Sequence, residues 1–413
     1  MKSIYKFSVA ILIAASLLSS CNGAGEKKDS ELTKEEKAVI NNYVDDVIIT
    51  SYTQLATDGK AMLTNIKAIA ASTDADKTSL IAKAAESWRN ARISWERTEA
   101  YLFGPVDKAG IDPGIDSWPL VLPDLQKSIQ NWDPSKHSYK DLSADGGDLK
   151  GFHAIEYLLF ANGKPKTKSI ADFDSMYALD KGSLTDAQFQ ANLENYLVAV
   201  AEELYRCVLQ LETEWSQEAL SAVKKSDLAA FGNDIKLNTP NGNYGELMKT
   251  PGLENDYYQS FKKSIDEMFV GAIGIADEVA NVKISDPISA EETEAGTGLL
   301  EVESWFSFNS ITDFTNNVRG IKEAYVGQRY VDNPSFDSDT KYSSSSVAAY
   351  VAKRDKAVNE NVISAANDAI AKVKAMPAPF RDNLSWSTAN RAAQTAVHKL
   401  QEALEAANDV VMK

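Results

Sequence analysis

Thr185-Asp186-Ala187-Gln188-Phe189-Gln190-Ala191-Asn192-Leu193-Glu194-Asn195-Tyr196-Leu197 begins as a helix begins. The Thr185 hydroxyl can accept from the backbone N–H three residues on, while Gln188 reaches back to the N–H of Thr185. Apolar residues then recur at Leu193, Tyr196, Leu197, Val200, Leu204, Val208, Leu211 and Trp215. Steps of three and four mark one face of a long amphipathic helix. A chain made of such elements has to bury their apolar faces against one another, and the outcome is a helical bundle.

The same period extends in both directions. Upstream, Thr33-Lys34-Glu35-Glu36 reads as another capped start, followed by Ile40, Tyr43, Val44, Val47, Ile48, Tyr52 and Leu55, then Met62, Ile66 and Ile69. This predicts one long helix, or two broken near Asp58-Gly59, ending at Ser72-Thr73-Asp74. A second helix is predicted from about Lys77 to Phe103. Trp88, Arg92, Trp95, Glu99 and Phe103 share one of its faces, which reads as a core stripe with an internal Arg92–Glu99 pair. Ser117-Trp118-Pro119 is expected to open a short helix, with proline in its first turn.

Downstream of Trp215, a helix is predicted from about Glu254 to Asn281, with a break at Asp286-Pro287. Ile311, Phe314, Val318, Ile321 and Tyr325 mark another. A helix from the serine-rich segment 343–346 to about Ala375 and a last one from Ser387 complete the chain. No segment reads as a strand ladder. The expected fold is all-α, with two helical-bundle domains at 33–222 and 223–413. The likeness of Glu99-Ala100-Tyr101 to Glu323-Ala324-Tyr325 hints at a pseudo-repeat.

The first twenty residues read as a leader rather than as fold. Lys2 and Lys6 precede an apolar run, Phe7 to Leu18, too short for a membrane span. It ends in Leu18-Ser19-Ser20-Cys21, which resembles the bacterial lipobox. Lipidation of Cys21 would anchor the chain to a membrane surface without spanning it. Residues 21–32 read as a flexible tether. The expected location is therefore the cell envelope, outside the cytoplasm. Cys207 is then the one remaining cysteine, on an apolar helical face, and reads as a buried, inert thiol.

The 413 residues carry a formal charge of −16, or −18 without the two leader lysines. Such a surface repels nucleic acid and anionic lipid. A monomer without nucleic-acid partners is expected. There is no phosphate-cradling glycine loop, no CxxC pair and no Gly-x-Ser-x-Gly. Among His137, His153 and His398, only His153 sits in a chemically suggestive setting: Gly151-Phe152-His153-Ala154-Ile155-Glu156-Tyr157-Leu158-Leu159-Phe160. His153 and Glu156 are three apart, so on a helix both can reach one ion. Imidazole with carboxylate suits iron and other transition ions. The plain alternative is a hydrogen-bonded pair in a core. Zinc peptidases of the His-x-x-Glu-His type place a second histidine where this chain has Tyr157.

Gly151-Phe152-His153-Ala154-Ile155-Glu156 matches the GxHxxE signature of the imelysin-like family. The resemblance extends to Trp88 through Pro105, to Ile115-Asp116-Ser117-Trp118-Pro119, and to the block from Glu303 to Gly327. It implies two helical bundles with the GxHxxE segment in a cleft between them, in bacterial extracytoplasmic proteins that are often lipoproteins. It also implies His153 and Glu156 as metal ligands and Glu99 as a third. Arg92 and Asp116 would orient them, and Ser307 and Asp313 would face them from the second bundle. The family includes iron-regulated proteins and is also filed among metallopeptidases. The function this suggests is binding of a metal, iron foremost, or of an iron-bearing ligand, alongside iron-transport components. A metallopeptidase, and a purely structural or surface-binding protein, are the alternatives.

Overall fold

The computed structural model describes residues 25–142, 146–171, 178–330, 333 and 335–413. The leader and Cys21 lie outside the described residues. The main helices are α1 (Gly25–Asn41), α2 (Ile49–Ala71), α3 (Thr78–Thr98), α4 (Gly151–Leu159), α5 (Asp186–Trp215) and α6 (Phe261–Glu278). They are followed by α7 (Asp286–Thr293), α8 (Ser310–Val326), α9 (Val347–Arg354), α10 (Lys356–Lys374) and α11 (Thr388–Met412). A two-residue hairpin, Phe160–Ala161 with Lys164–Pro165, is the one sheet among the described residues. The fold is all-α.

In the first bundle α2 packs on α3 and α5, and α4 fills the space between α3 and α5. In the second, α11 packs on α6 and α10, and α8 lies against α10. The bundles meet where α3 crosses α8, and α1 reaches across to α6 and α9. One continuous apolar core runs through both.

The crossing of α3 and α8 depends on Gly320. A Cβ there would press into the backbone carbonyl of Arg97, well inside van der Waals contact. Overpacking of this kind costs about 1–3 kcal/mol. Gly320→Ala is therefore expected to lower the urea midpoint, and a midpoint equal to wild type would show that the two helices are free to separate.

The Thr185 cap forms as expected, with both reciprocal hydrogen bonds, and Ser387 caps the last helix. Several boundaries differ. α1 begins at Gly25, so Thr33 lies inside the helix, and residues 25–32 of the expected tether are helical. Their Glu and Lys content favours helix once one begins downstream. Gly59 does not break α2, because it is buried against Val208 and Tyr205 of α5. The irregularity is instead a π-helical turn at Asn42–Ile48. Trp118-Pro119 does not open a helix; the next one starts at Leu122.

Nor does Asp286-Pro287 break the chain. α6 continues through a second π-helical turn, Val279–Ser285, into α7, whose first turn tolerates proline because that N–H is not needed. The helix expected to end near Ala375 is two helices, because Asp355 turns extended and caps α10.

Candidate functional site

The site begins with the stripe on α3. Trp88, Arg92 and Trp95 are fully buried, and Glu96 beside them is as well. Trp88 donates from Nε1 to the carbonyl of Phe152 at 2.9 Å, tying α3 to α4. Trp95 donates from Nε1 to Asp116 Oδ2 at 2.6 Å. Between the indoles, the Arg92 guanidinium meets the carboxylates of Glu96, Asp116 and Glu303, with Asp313 Oδ2 3.6 Å from Nε. The planar, multi-pronged guanidinium suits such a ring of acceptors. Its partner within the helix is Glu96, one turn on, rather than Glu99.

α4 brings His153 to the same place. Its N-terminus fits because Gly151 has φ +79° and no side chain: a Cβ there would collide with the carbonyl of Ile115. Asp116 follows Ile115 directly, so this close approach sets Asp116 beside His153. His153 Nε2 lies 3.2 Å from Asp116 Oδ1 and 4.0 Å from Glu303 Oε1. On the other side of the ring, Nδ1 pairs with Glu156 Oε2 at 3.0 Å. A hydrogen bond donated there fixes the ring and leaves Nε2 facing the carboxylates.

The second bundle closes the site. Glu156 Oε1 accepts from both the backbone N–H and the hydroxyl of Ser307, each at 2.7 Å. Ser307 sits in a turn where Ser304 and Phe308 hold φ of 52° and 60°. Left-handed backbone at non-glycine residues costs about 1–3 kcal/mol each and persists where the surroundings enforce it. Here Arg89 enforces it, donating to the Ser307 carbonyl at 2.9 Å and to Asn309 Oδ1 at 2.6 Å. Asn309 in turn donates to Asp313 Oδ1 at 2.6 Å. From α8, Asn317 donates to Glu96 Oε2 and Glu99 Oε2, both at 2.6 Å. Lys283, on the second π-helical turn, places its ammonium 3.0 Å from Glu99 Oε2, 3.6 Å from Glu96 Oε2 and 3.1 Å from Glu303 Oε2.

The cluster holds too much negative charge for its cations. Glu96, Glu99, Asp116, Glu156, Glu303 and Asp313 are all buried, and Arg92 and Lys283 are the permanent cations among them. Burial alone makes an unpaired carboxylate costly. The chain responds by shifting protons. Burial pushes Glu96 and Glu99 well above the usual carboxylate range, although Arg92 and Lys283 oppose this. Burial likewise raises Asp313 to about 6, against the pull of Arg92. At Asp116 burial is outweighed by Arg92 and the hydrogen bond from His153, and its carboxyl stays well below the usual range. For His153, burial disfavours the charge, but the bonds to Asp116 and Glu156 prevail and push the imidazole up to about 9.

Two groups of donors converge in this cluster. Asp116, His153 and Glu303 each offer an atom within 4.8 Å of the others, and so do Glu96, Glu99 and Asp116, with Asp116 shared. Three buried atoms of these groups are held by charged neighbours within the cluster: His153 Nε2 by Asp116 Oδ1 at 3.2 Å, Glu303 Oε2 by Lys283 Nζ at 3.1 Å, and Glu96 Oε1 by the Arg92 guanidinium. Surplus carboxylates and a ring nitrogen held from behind fit a cation. A metal bound there would supply Lewis acidity, or redox chemistry if it is iron.

A family model described as Imelysin matches residues 48–409. The chain belongs to the imelysin family. It is 28% identical over 290 residues to iron-regulated protein A of Synechococcus elongatus, an alignment covering 70% of this chain and 64% of that relative. A solved structure described as an iron-regulated protein A precursor, from Parabacteroides distasonis, superposes with a TM-score of 0.74 at 27% identity, covering 91% of this chain and 95% of that one. An imelysin-like protein from Psychrobacter arcticus shares the fold, with a TM-score of 0.56 at 13% identity over 92% of this chain and 93% of that one.

The imelysin motif residues therefore sit as follows. His153 and Asp116 face each other in one donor group, and Glu99 belongs to the other. Glu156 lies behind the imidazole, bridging it to Ser307. Arg92 is the central counter-ion, and Asp313 borders it. Glu303, Glu96, Lys283 and Asn317 complete the cluster and were not singled out as site residues from the sequence. The signal for Lys283 was present: a lysine flanked by Ala280 and Ile284 on an apolar helical face. His137 and His398 lie outside the cluster, and burial pushes the Cys207 thiol up to about 12, as suits an inert cysteine.

Replacing Glu156 by Gln puts an amide NH2 against a donor on one side, either His153 Nδ1–H or Ser307. If the cluster holds a metal ion, the expected result is a 10–100-fold loss of affinity for it, typical of a disturbed orienting partner, with the fold retained by circular dichroism. Unchanged affinity would mean the imidazole needs no orientation from Glu156.

Proposed function

We propose that this chain is a cell-envelope lipoprotein that binds a metal ion, iron foremost, in iron acquisition. The observation that carries this reading is the surplus of buried carboxylates around Arg92 and Lys283, met by His153 Nε2. Asp116, His153 and Glu303 would hold the ion. A mixed nitrogen and oxygen donor set suits iron better than calcium or magnesium. The names of the relatives, iron-regulated protein A in both cases, support iron over other ions.

Because His153 is pushed up to about 9 and holds a proton when no ion is bound, binding has to displace that proton, and affinity should rise with pH up to about 9. Among the described residues no helix is long and apolar enough to cross a membrane. The proposed attachment is a lipid on Cys21, supported by the lipobox-like Leu18-Ser19-Ser20-Cys21, and the proposed partners are iron-transport components.

Isothermal titration with ferrous ion (anaerobically), ferric ion and zinc tests the reading. Wild type should prefer iron, and His153→Ala should lose about 100-fold or more, since a ligand matters more than its orienting partners. Equal binding of all three ions by both proteins, or no binding at all, would overturn it. The peptidase reading has one observation in its favour: Asp116, His153 and Glu303 are three ligands, the number a hydrolytic zinc site uses. Against it, all three are buried, where a polypeptide cannot reach. Incubation with zinc and unfolded polypeptides is expected to give no chelator-sensitive cleavage.

A further inference from the structure

Next to the buried cluster lies a cavity of about 1010 Å³ between the two bundles. On its floor, the side that meets Lys283, it is lined by Glu99, Trp118 and Glu278, and Asp107, Asp256, Glu267 and Asp277 complete its acidic lining. Lys108 is the one basic group among the described lining residues, and its ammonium is drawn down onto the Tyr257 ring, 3.3 Å from the centroid. An acidic, low-dielectric recess concentrates cations.

The floor separates this recess from the metal-ligand groups by a single layer. Trp118 stands edge-on to His153, ring centroids 6.0 Å apart, and its indole is fixed by a hydrogen bond from Nε1 to the Glu301 carbonyl at 3.1 Å. Lys283 lies behind the same indole, 5.4 Å from its ring centre. The ammonium touches both sides of the layer: Glu278 Oε1 at 3.8 Å and Glu99 Oε2 at 3.0 Å on the floor, Glu303 Oε2 at 3.1 Å within. Of these carboxylates only Glu278 is substantially open to solvent, with 36% of its side chain exposed. Just inside, the buried His153 Nε2 faces Asp116 Oδ1 at 3.2 Å and Glu303 Oε1 at 4.0 Å.

We propose that this cavity is the loading vestibule of the buried centre, in which Glu278 takes the hydrated cation from solvent and Lys283 is a tethered cation that holds the inner position until displaced. The inference rests on the metal-binding reading above. Of the carboxylates around Lys283, Glu278 is the one a cation in the recess meets first. It then competes with the ammonium for Glu99 and Glu303, and Lys283 withdraws as the ion passes inward. The tethered ammonium keeps the carboxylates paired while no ion is bound, so the buried charge is never left bare.

Anaerobic stopped-flow mixing of the full chain with ferrous ion, followed by tryptophan fluorescence, tests this. Gly274 lines the cavity one helical turn before Glu278, and a Cβ there meets nothing within 4 Å, so Gly274→Phe narrows the recess while Glu278 keeps its charge. Gly274→Phe should slow uptake and release about tenfold or more, leaving the Kd within about threefold. Glu278→Gln should slow uptake by about tenfold or more, as loss of a steering charge does. The two variants guard against misfolding of either, since Glu278 is half-exposed. Normal uptake rates in both variants, with wild type still binding iron, would overturn the vestibule and leave the metal site standing. If wild type takes up no ion, both readings fall.

Discussion

Replacing Arg92 by Leu is expected to cost about 3–5 kcal/mol of folding stability, the range seen when one partner of a buried ionic network is removed. The guanidinium is fully buried and faces Glu96, Asp116, Glu303 and Asp313. Leucine fills the space but leaves those carboxylates with Lys283 as their one permanent cation. A loss of that size is a large share of the roughly 5–15 kcal/mol that holds a typical domain together. Arg92→Lys should recover only part of it, because an ammonium cannot present the guanidinium's flat array of donors. Urea denaturation measures the outcome. A midpoint for Arg92→Leu indistinguishable from wild type would mean the carboxylates are neutral and need no counter-ion. If the cluster binds a divalent cation, adding that ion should stabilise Arg92→Leu more than wild type.

The second large effect is an inverted pH dependence of the metal-free protein. His153 is pushed up to about 9 in the fold, against about 6.5 in an unfolded chain. The folded state then holds a proton the unfolded state has lost, so this stabilisation is complete below pH 6.5 and is lost as pH rises through 9. Asp313, raised to about 6, acts in the same direction at lower pH: its contribution is present below about 4 and lost as pH passes 6. Glu96 and Glu99, raised by burial, share the sign. Asp116 has the opposite sign, because Arg92 and His153 outweigh burial, but its loss falls at acid pH below this window.

At about 1.4 kcal/mol per pKa unit, His153 alone contributes about 3 kcal/mol between pH 6.5 and 9. Melting temperature in the presence of chelator should therefore fall by roughly 5 °C or more from pH 5 to pH 9. Bound metal replaces those protons and should flatten the profile. A metal-free profile that is level or rises with pH would show that the cluster does not store protons.

The helical fold follows from the sequence because amphipathic periodicity is local. Leu193 to Trp215 repeats at three and four, and the chain can bury that face only against other helices. Caps such as Thr185 and Ser387 are also local, and they form as read. The boundaries that differ are those where tertiary packing outweighs a local signal. Gly59 stays helical because α5 lies against it, and Pro287 is carried in the first turn of a helix that follows a π-helical turn.

The candidate site was only partly legible. His153, Glu156, Arg92, Glu99, Asp116, Ser307 and Asp313 came from the GxHxxE motif and the blocks that accompany it. Their pairings did not, because they join residues far apart in the chain: Arg92 with Glu303, Glu156 with Ser307, Glu99 with Lys283. No periodicity encodes which carboxylate a guanidinium will choose.

What the sequence determined by itself is the class of structure and the inventory of chemistry: long amphipathic helices, a histidine and a glutamate one turn apart, and a chain rich in acids. What only the tertiary structure decided is how that chemistry is balanced. The close approach of Gly151 to Ile115 sets Asp116 against His153. The crossing at Gly320 brings Asn317 onto Glu96 and Glu99, and the π-helical turn inserts Lys283 among carboxylates from three segments. The physical reason is that helix formation depends on neighbours three and four residues away. Charge compensation depends on distances of 3 to 4 Å, which exist only once the two bundles have closed on each other.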